Sequence, residues 1–359
     1  MSISTLSFNT STRVSLQRLQ SQVTDATQEL NSGRHLDIGK TLGRLTGSAV
    51  SARAQENSFK EQQTSNGLIA TRLSNIDASL ATISEGSESL ANNLIGVSVA
   101  TNFETLINEA KSGLQTLTGA LNAAGDGQYL FGGDNTDAAP ITTTATSART
   151  TAISAEFSNF VAAATAATAL ANGTPTTGAA NEVTAAQMTA YLGDGYTDPA
   201  TGDVYKFSDN FPAASWTAAS SGTIDSRISK TETVASSLSA NNSAFSNIAE
   251  AYTMIASLGI DTLNADARKA VTDKATLLLK GGGDQVTTLR ADVGTKLKRI
   301  EGANAELQRQ QDIMAATVSG LEDVDITEVS LRVNALTTQL QAAYSVTGKI
   351  QGLSILDYI

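Results

Sequence analysis

Four places in the sequence carry residue types that could do chemistry. Gly132-Gly-Asp-Asn-Thr-Asp137 gathers the oxygens a hard cation takes, but its spacing fits no EF-hand loop, and an ordinary turn is the better reading. Gly281-Gly-Gly-Asp284 would cradle phosphate only after a strand and before a Gly-Lys-Ser/Thr. Neither is present, and we read a helix-breaking turn. His35, the only histidine, sits beside Arg34 in a break between helices, where a solvated or hydrogen-bonded ring is expected rather than a ligand. Asn172-Gly-Thr174 has the N-glycosylation spacing, a pattern too common to weigh. There are no cysteines, so thiolate sites, disulfides and cysteine nucleophiles are excluded. A single histidine excludes histidine-clustered metal sites and argues against His-dependent acid–base work. No carboxylate pair or triad remains. The expectation is a non-enzyme with no catalytic residues, no metal and no cofactor.

What is left to carry function is the helical framework. From Ile69 the apolar positions run Leu73, Ile76, Leu80, Ile83, Ser87, Leu90, Leu94 and Val97, in alternating steps of four and three. The phase runs back more weakly through Phe59 and Ala52. A helix from near Ser48 to near Val99 would rise about 75 Å. A compact globule of this chain length would be only about 50 Å across. A rod is therefore expected.

Composition agrees. Hydrophobic residues make up 41% of 359, but aromatics only 5%, which suits narrow helix–helix seams better than a broad catalytic globule. The net charge of -11 disfavours nucleic acid, because an acidic surface repels phosphate backbones. No apolar run approaches the roughly 20 residues that span a membrane. The opening Met1-Ser-Ile-Ser-Thr-Leu6 has none of the parts of a Sec-type signal.

Along the chain, Leu16, Leu19, Val23, Ala26 and Leu30 form a first stripe, stopped at Asn31-Ser32-Gly33-Arg34 with Gly33 suited to a left-handed position. Glycines 39, 43 and 47 make a short irregular connection. After a turn at Thr101-Asn102 a second seam follows: Phe103, Ile107, Ala110, Leu114, Leu117 and Leu121. Tyr129 to Phe131 reads as a short strand between glycine turns. From about 138 to 233 heptads vanish and Thr, Ala, Ser and Gly dominate. A small mixed or mainly β domain is expected there, with a short helix near Asn159–Ala171. Helical pattern returns at about Val234. A stretch from Asn264 to Leu279 should stop at the three glycines. Val293, Leu297, Ile300, Asn304, Leu307, Gln311, Met314, Val318 and Leu321 then mirror the opening seam. Asp325 can cap a last helix carrying Val329, Val333, Leu336, Leu340, Ala343 and Ile350. Asn66, Ser87, Asn304 and Gln311 fall at seam positions. They either fix register from inside a seam or face solvent or a roomier third helix.

The layout is symmetric, with heptad helices at both ends and a different kind of segment between. The expected domains are an N-terminal assembly helix at 1–45, the two parts of a helical rod domain at 46–137 and 234–322, an inserted outer domain at 138–233, and a C-terminal assembly helix at 323–359. Apolar stripe exceeds its partners within one chain, most of all at the termini, which points to self-association.

The residues carrying a family resemblance are Leu30-Asn-Ser-Gly-Arg34 and Leu121-Asn-Ala-Ala-Gly-Asp-Gly-Gln-Tyr-Leu-Phe-Gly-Gly133. At the other end they are Leu289-Arg-Ala-Asp-Val-Gly294, Leu321-Glu-Asp-Val-Asp325 and Leu353-Ser-Ile-Leu-Asp-Tyr-Ile359. In this order, over roughly 1–137 and 235–359, the sequence resembles the bacterial flagellin family, and within it the hook–filament junction type more than the filament subunit.

The resemblance implies a mainly α fold: a rod of long antiparallel, coiled-coil helices from both chain ends, with the mixed or mainly β insertion at its tip. It implies an extracellular flagellar subunit, exported unfolded by the flagellar type III apparatus without a cleaved signal peptide. The implied partners are copies of itself in a ring or tube, another hook-associated protein, flagellin and an export chaperone. Nucleic acid and membrane are not among them. The subunit-assembly residues expected are Leu16, Leu19, Val23 and Leu30, packing on Val333, Leu336, Leu340 and Ile350, with Leu353 and Leu356 beyond.

Overall fold

The computed structural model describes residues 5–95, 102–173, 175–211 and 216–356, apart from the side chains of 5–9, 143–147 and 350–356. Val97 of the opening seam and Thr101 of the expected turn lie outside these residues. The chain divides into two compact units, Met1–Gln63 with Ala305–Ile359, and Thr64–Asn304. Helices α3 (Thr46–Ile95) and α8 (Ala265–Glu322) contribute to both.

In the second unit the heptad spacing of α3 does what the pattern requires. Leu73, Ile76, Leu80, Ile83, Ser87, Leu90 and Leu94 are buried, while the residues between them are mostly exposed or half-buried. On α8 the facing stripe is Ala267, Val271, Ala275, Leu279, Val286, Val293 and Ile300. Of the polar seam positions in this unit, Asn66 and Ser87 are buried and Asn304 is half-buried. Asn66 is fully buried, and its Nδ2 donates to Asn304 Oδ1 at 2.7 Å and to the Ile228 carbonyl at 2.9 Å. A side-chain amide satisfied in this way can sit in an apolar seam only at the register that pairs it. Asp77 and Arg290, at 3.0 Å, fix the same antiparallel register further along.

Helix α4 (Phe103–Leu121) turns Leu106, Ala110, Leu117 and Leu121 inward and packs on α7 (Ser243–Ser257). A Cβ at Gly113 would run into the ring of Tyr252, and one at Gly86 would stand 3.1 Å from its hydroxyl. The tyrosine therefore occupies a notch cut by two glycines.

The three glycines do not stop a helix. Helix α8 runs unbroken through Gly281, Gly282 and Gly283. A Cβ at Gly282 would lie 2.6 Å from Ile248 Cγ1 and 3.0 Å from the Ala244 carbonyl, so the missing side chain lets α7 approach the α8 backbone. Gly281 meets nothing within 4 Å. Packing has overridden the propensity cost of about 1 kcal/mol per glycine. Gly281→Ala should therefore raise stability by about 1 kcal/mol, and Gly282→Ala should lower it. Thermal denaturation of both variants checks this, and two shifts of the same sign would refute the assignment.

The stretch after α4 forms a hairpin of β1 (Ala124–Gly125) and β2 (Gln128–Tyr129). Asp126 (φ 52°) and Gly127 (φ 78°) both take the left-handed region, as a two-residue primed turn demands. The Gly132-to-Asp137 loop is a joint, as an ordinary turn would be. Gly133 closes on the Ser220 carbonyl, and Asp134 hydrogen-bonds the Ser220 hydroxyl.

Of the two expectations for residues 138–233, the mixed one describes the segment, and helix predominates. Helix α5 covers Thr143–Asn172, well beyond the short helix expected near 159–171, and α6 covers Ala185–Leu192 behind a Thr184/Gln187 capping box. The strands are two short antiparallel pairs: β3 (Tyr196–Thr197) with β4 (Val204–Tyr205), and β5 (Asp225–Arg227) with β6 (Thr233–Ala235). Phe160 stacks on Tyr191 at 4.3 Å, with Phe157, Tyr196 and Phe207 around them. These rings join one continuous core with α3, α4, α7 and α8.

Candidate assembly surface

The first unit holds the expected assembly residues. Its elements are α1 (Thr5–Ser32), α2 (Ile38–Leu42), the start of α3, the end of α8, and α9 (Ile326–Leu356). Helix α1 packs along α9. The register is antiparallel: Arg332 Nη1 lies 3.3 Å from Glu29 Oε2, and the Gln20 amide reaches the Tyr344 hydroxyl two turns and more further on.

The pairing follows from matched stripes. On α1, Leu16, Leu19, Val23 and Leu30 are half-buried and Ala26 is fully buried; on α9, Val329 is buried and Val333, Leu336, Leu340 and Ala343 are half-buried. The structure thus brings the expected Leu16, Leu19, Val23 and Leu30 onto the helix pair that carries Val333, Leu336 and Leu340. Ile350, Leu353 and Leu356 fall among the side chains not described. Ala26 and Val329, the most enclosed members, stand in the same heptad phase as the residues expected to form the site.

The two turns at one end of the pair are clasped together. Gly33 (φ 68°) ends α1, and its carbonyl accepts from the Val324 amide at 3.0 Å. The His35 amide donates to the Glu322 carbonyl at 2.9 Å, and Arg34 Nε lies 3.5 Å from Asp323 Oδ1. Glu29 receives the Leu36 amide at 3.2 Å and stands 3.8 Å from His35 Nδ1. His35 is thus a hydrogen-bonded turn residue. Glu322 is buried with Arg53 of α3 as its ion-pair partner. Asp325 caps α9 by accepting from the Thr327 and Glu328 amides at 2.8 and 3.3 Å, and those bonds hold its carboxyl below the usual range.

The face of α9 turned away from α1 was not among the expected sites. Leu331 and Val346 are 66% and 55% exposed, with Ala335, Thr338 and Ala342 exposed between them. At 100° per residue these five lie within about 80° of one another and opposite the Val333–Leu340 stripe. Their spacing of four, three, four and four is legible in the sequence, but the stronger stripe masks it. The corresponding outer face of α1, at Gln17, Ser21, Asp25 and Gln28, is polar and exposed. Val14, 57% exposed, is the apolar exception on that face of α1, whereas the outer face of α9 carries Leu331, Ala335, Ala342 and Val346.

Among the described residues, no group of three or more His, Cys, Asp or Glu could hold a metal ion, and no helix is long and apolar enough to cross a membrane.

The family model for the bacterial flagellin C-terminal helical region matches residues 281–359, from the three glycines to the last residue of α9 and beyond. A search of curated proteins returned no match. Among solved structures, the chain is similar to one from Vibrio parahaemolyticus described as a "putative flagellar hook-associated protein". That likeness has a TM-score of 0.50 and 11% identity, and covers 77% of this chain and 97% of that one. At such identity it speaks for the fold. The match to the flagellin carboxy-terminal region and the likeness in fold agree with the flagellin-family resemblance of the sequence.

Proposed function

We propose that this chain is a structural subunit of the bacterial flagellum at the hook–filament junction, polymerising through its terminal helices so that the hook accepts the filament. The carrying observation is the second apolar stripe of α9, Leu331 to Val346, which none of the described residues of its own unit covers. A helix apolar on two faces needs two partners. One is α1, and the other is supplied by a neighbouring subunit. On this reading the assembly segments are 1–45 and 323–359, and 138–233 is the outward, variable part. The role is mechanical, not catalytic. The subunit reaches the cell exterior through the flagellar export apparatus with a chaperone, and its neighbours are copies of itself, a second hook-associated protein and flagellin. The hook-associated description of the Vibrio structure favours the junction over the filament itself.

Negative-stain microscopy of the purified chain, with and without ammonium sulfate seeding, tests the choice. Long filaments would make it the filament subunit and overturn the junction reading. Persistent monomers, with a gene deletion that leaves hooks but sheds filament protein into the medium, would uphold it. Deleting residues 328–359 should leave an exportable fragment that cannot assemble. If that fragment still joined the structure, the terminal-helix mechanism would be wrong.

A further inference from the structure

A small cavity in the second unit is lined by Leu117 and Thr118 of α4, Arg149 and Thr150 of α5, Ala249 and Thr253 of α7, and Trp216 of the inserted segment. Its volume is about 20 Å³ to a water-sized probe, room for one water molecule. Trp216, the only tryptophan, is 3% exposed, and its indole Nε1 has no acceptor among the described residues. A buried donor without a partner is costly enough that its partner should be sought.

We infer that this cavity holds one internal water molecule, which accepts from Trp216 Nε1 and donates to the hydroxyls of Thr118 and Thr253. Both hydroxyls have already committed their protons to their own helices: Thr118 Oγ1 donates to the Leu114 carbonyl at 2.8 Å, and Thr253 Oγ1 to the Ala249 carbonyl at 2.7 Å. What they present to the cavity is lone pairs. A guest that must accept from an indole and donate to two hydroxyls is water. The positive charge beside the cavity argues for an anion, but Arg149 directs Nη2 to the Trp216 carbonyl at 3.0 Å and its guanidinium lies 5.5 Å over the Phe211 ring. Water instead joins α4, α7 and the inserted segment at one point. The neighbouring contacts hold that point in place: Asn122 exchanges two hydrogen bonds with the Ile141 backbone at 2.7 and 2.9 Å, and the Ala218 amide donates to the Pro140 carbonyl at 2.8 Å.

A crystal structure of the full chain at a resolution that shows ordered solvent, with a second crystal soaked in bromide, is the test. One solvent peak within hydrogen-bond distance of Nε1 and both hydroxyls, with no anomalous bromide signal there, is the expected result. An empty cavity would overturn the inference, and so would a bromide peak, which would make this an anion site. In solution, the single indole N–H resonance should show a direct Overhauser contact to a long-lived water, lost in Thr118→Val/Thr253→Val. Absence of that contact in the unaltered chain would overturn the inference whether or not the double variant folds.

Discussion

Leu331→Asp with Val346→Asp should leave a folded, exported chain that no longer joins the flagellum. Both positions are exposed, so an aspartate there costs the free subunit little, while at an apolar subunit contact it buries an unpaired carboxylate. Leu336→Asp with Leu340→Asp is the contrasting pair. These residues lie on the stripe that faces α1, and charging them should open the α1–α9 pair in the isolated chain, at a cost of about 3 kcal/mol or more. Hydrogen exchange on α1 separates the two. Protection should persist in the outer-face variant and collapse in the inner-face one, while complementation of a deletion strain should fail for both. An outer-face variant that still retained the filament would remove the observation on which the proposed function stands.

The second large effect is on stability and pH. Glu250 of α7 is 8% exposed, and burial pushes its carboxyl up to about 7, with Lys274 and Lys206 pulling back less strongly. In the unfolded chain the same group titrates near 4.5. Below the unfolded value both states are protonated and nothing is lost. Between that value and about 7 the unfolded chain ionises while the folded one resists, so stability falls as pH rises and the loss is complete above the folded value. The shift corresponds to roughly 3 kcal/mol at pH 8. Glu250→Gln should therefore stabilise the protein by about that much at pH 8 and leave it nearly unchanged at pH 4. Denaturant unfolding at the two pH values reads this directly, and an equal effect at both would show that the carboxyl is solvated in the folded state.

Much of the framework was legible because heptad spacing is local information. Ile69 to Leu94 announces its own buried face, and Gly33 and Asp325 announce the ends of α1 and α8–α9 through backbone geometry that few residues satisfy. What failed to show depends on partners distant in sequence. Gly281-Gly-Gly283 looks like a stop until Ile248 and Ala244 are seen against Gly282. Asn66 and Asn304, 238 positions apart, reveal their pairing only when the two helices meet. Helix α5 exceeds the helix that the sequence suggests because its Thr- and Ala-rich first half lacks an apolar period, yet Ile153 and Phe157 are buried on it. The candidate assembly surface was half legible: the stripe that pairs α1 with α9 is strong, and the weaker Leu331–Val346 stripe is hidden behind it.

The antiparallel register of α1 and α9 also sets an order of events. Glu29 and Arg332 are 303 positions apart, so during synthesis or export from the amino end α1 has no intramolecular partner until α9 has been made. Loop closure over such a span costs about 5 kcal/mol of chain entropy before any contact repays it. The first helix emerges with its stripe uncovered, and the last helix closes it. A chain halted anywhere before α9 therefore cannot form the α1–α9 pair, so on the proposed function only a completed polypeptide presents a finished joining surface.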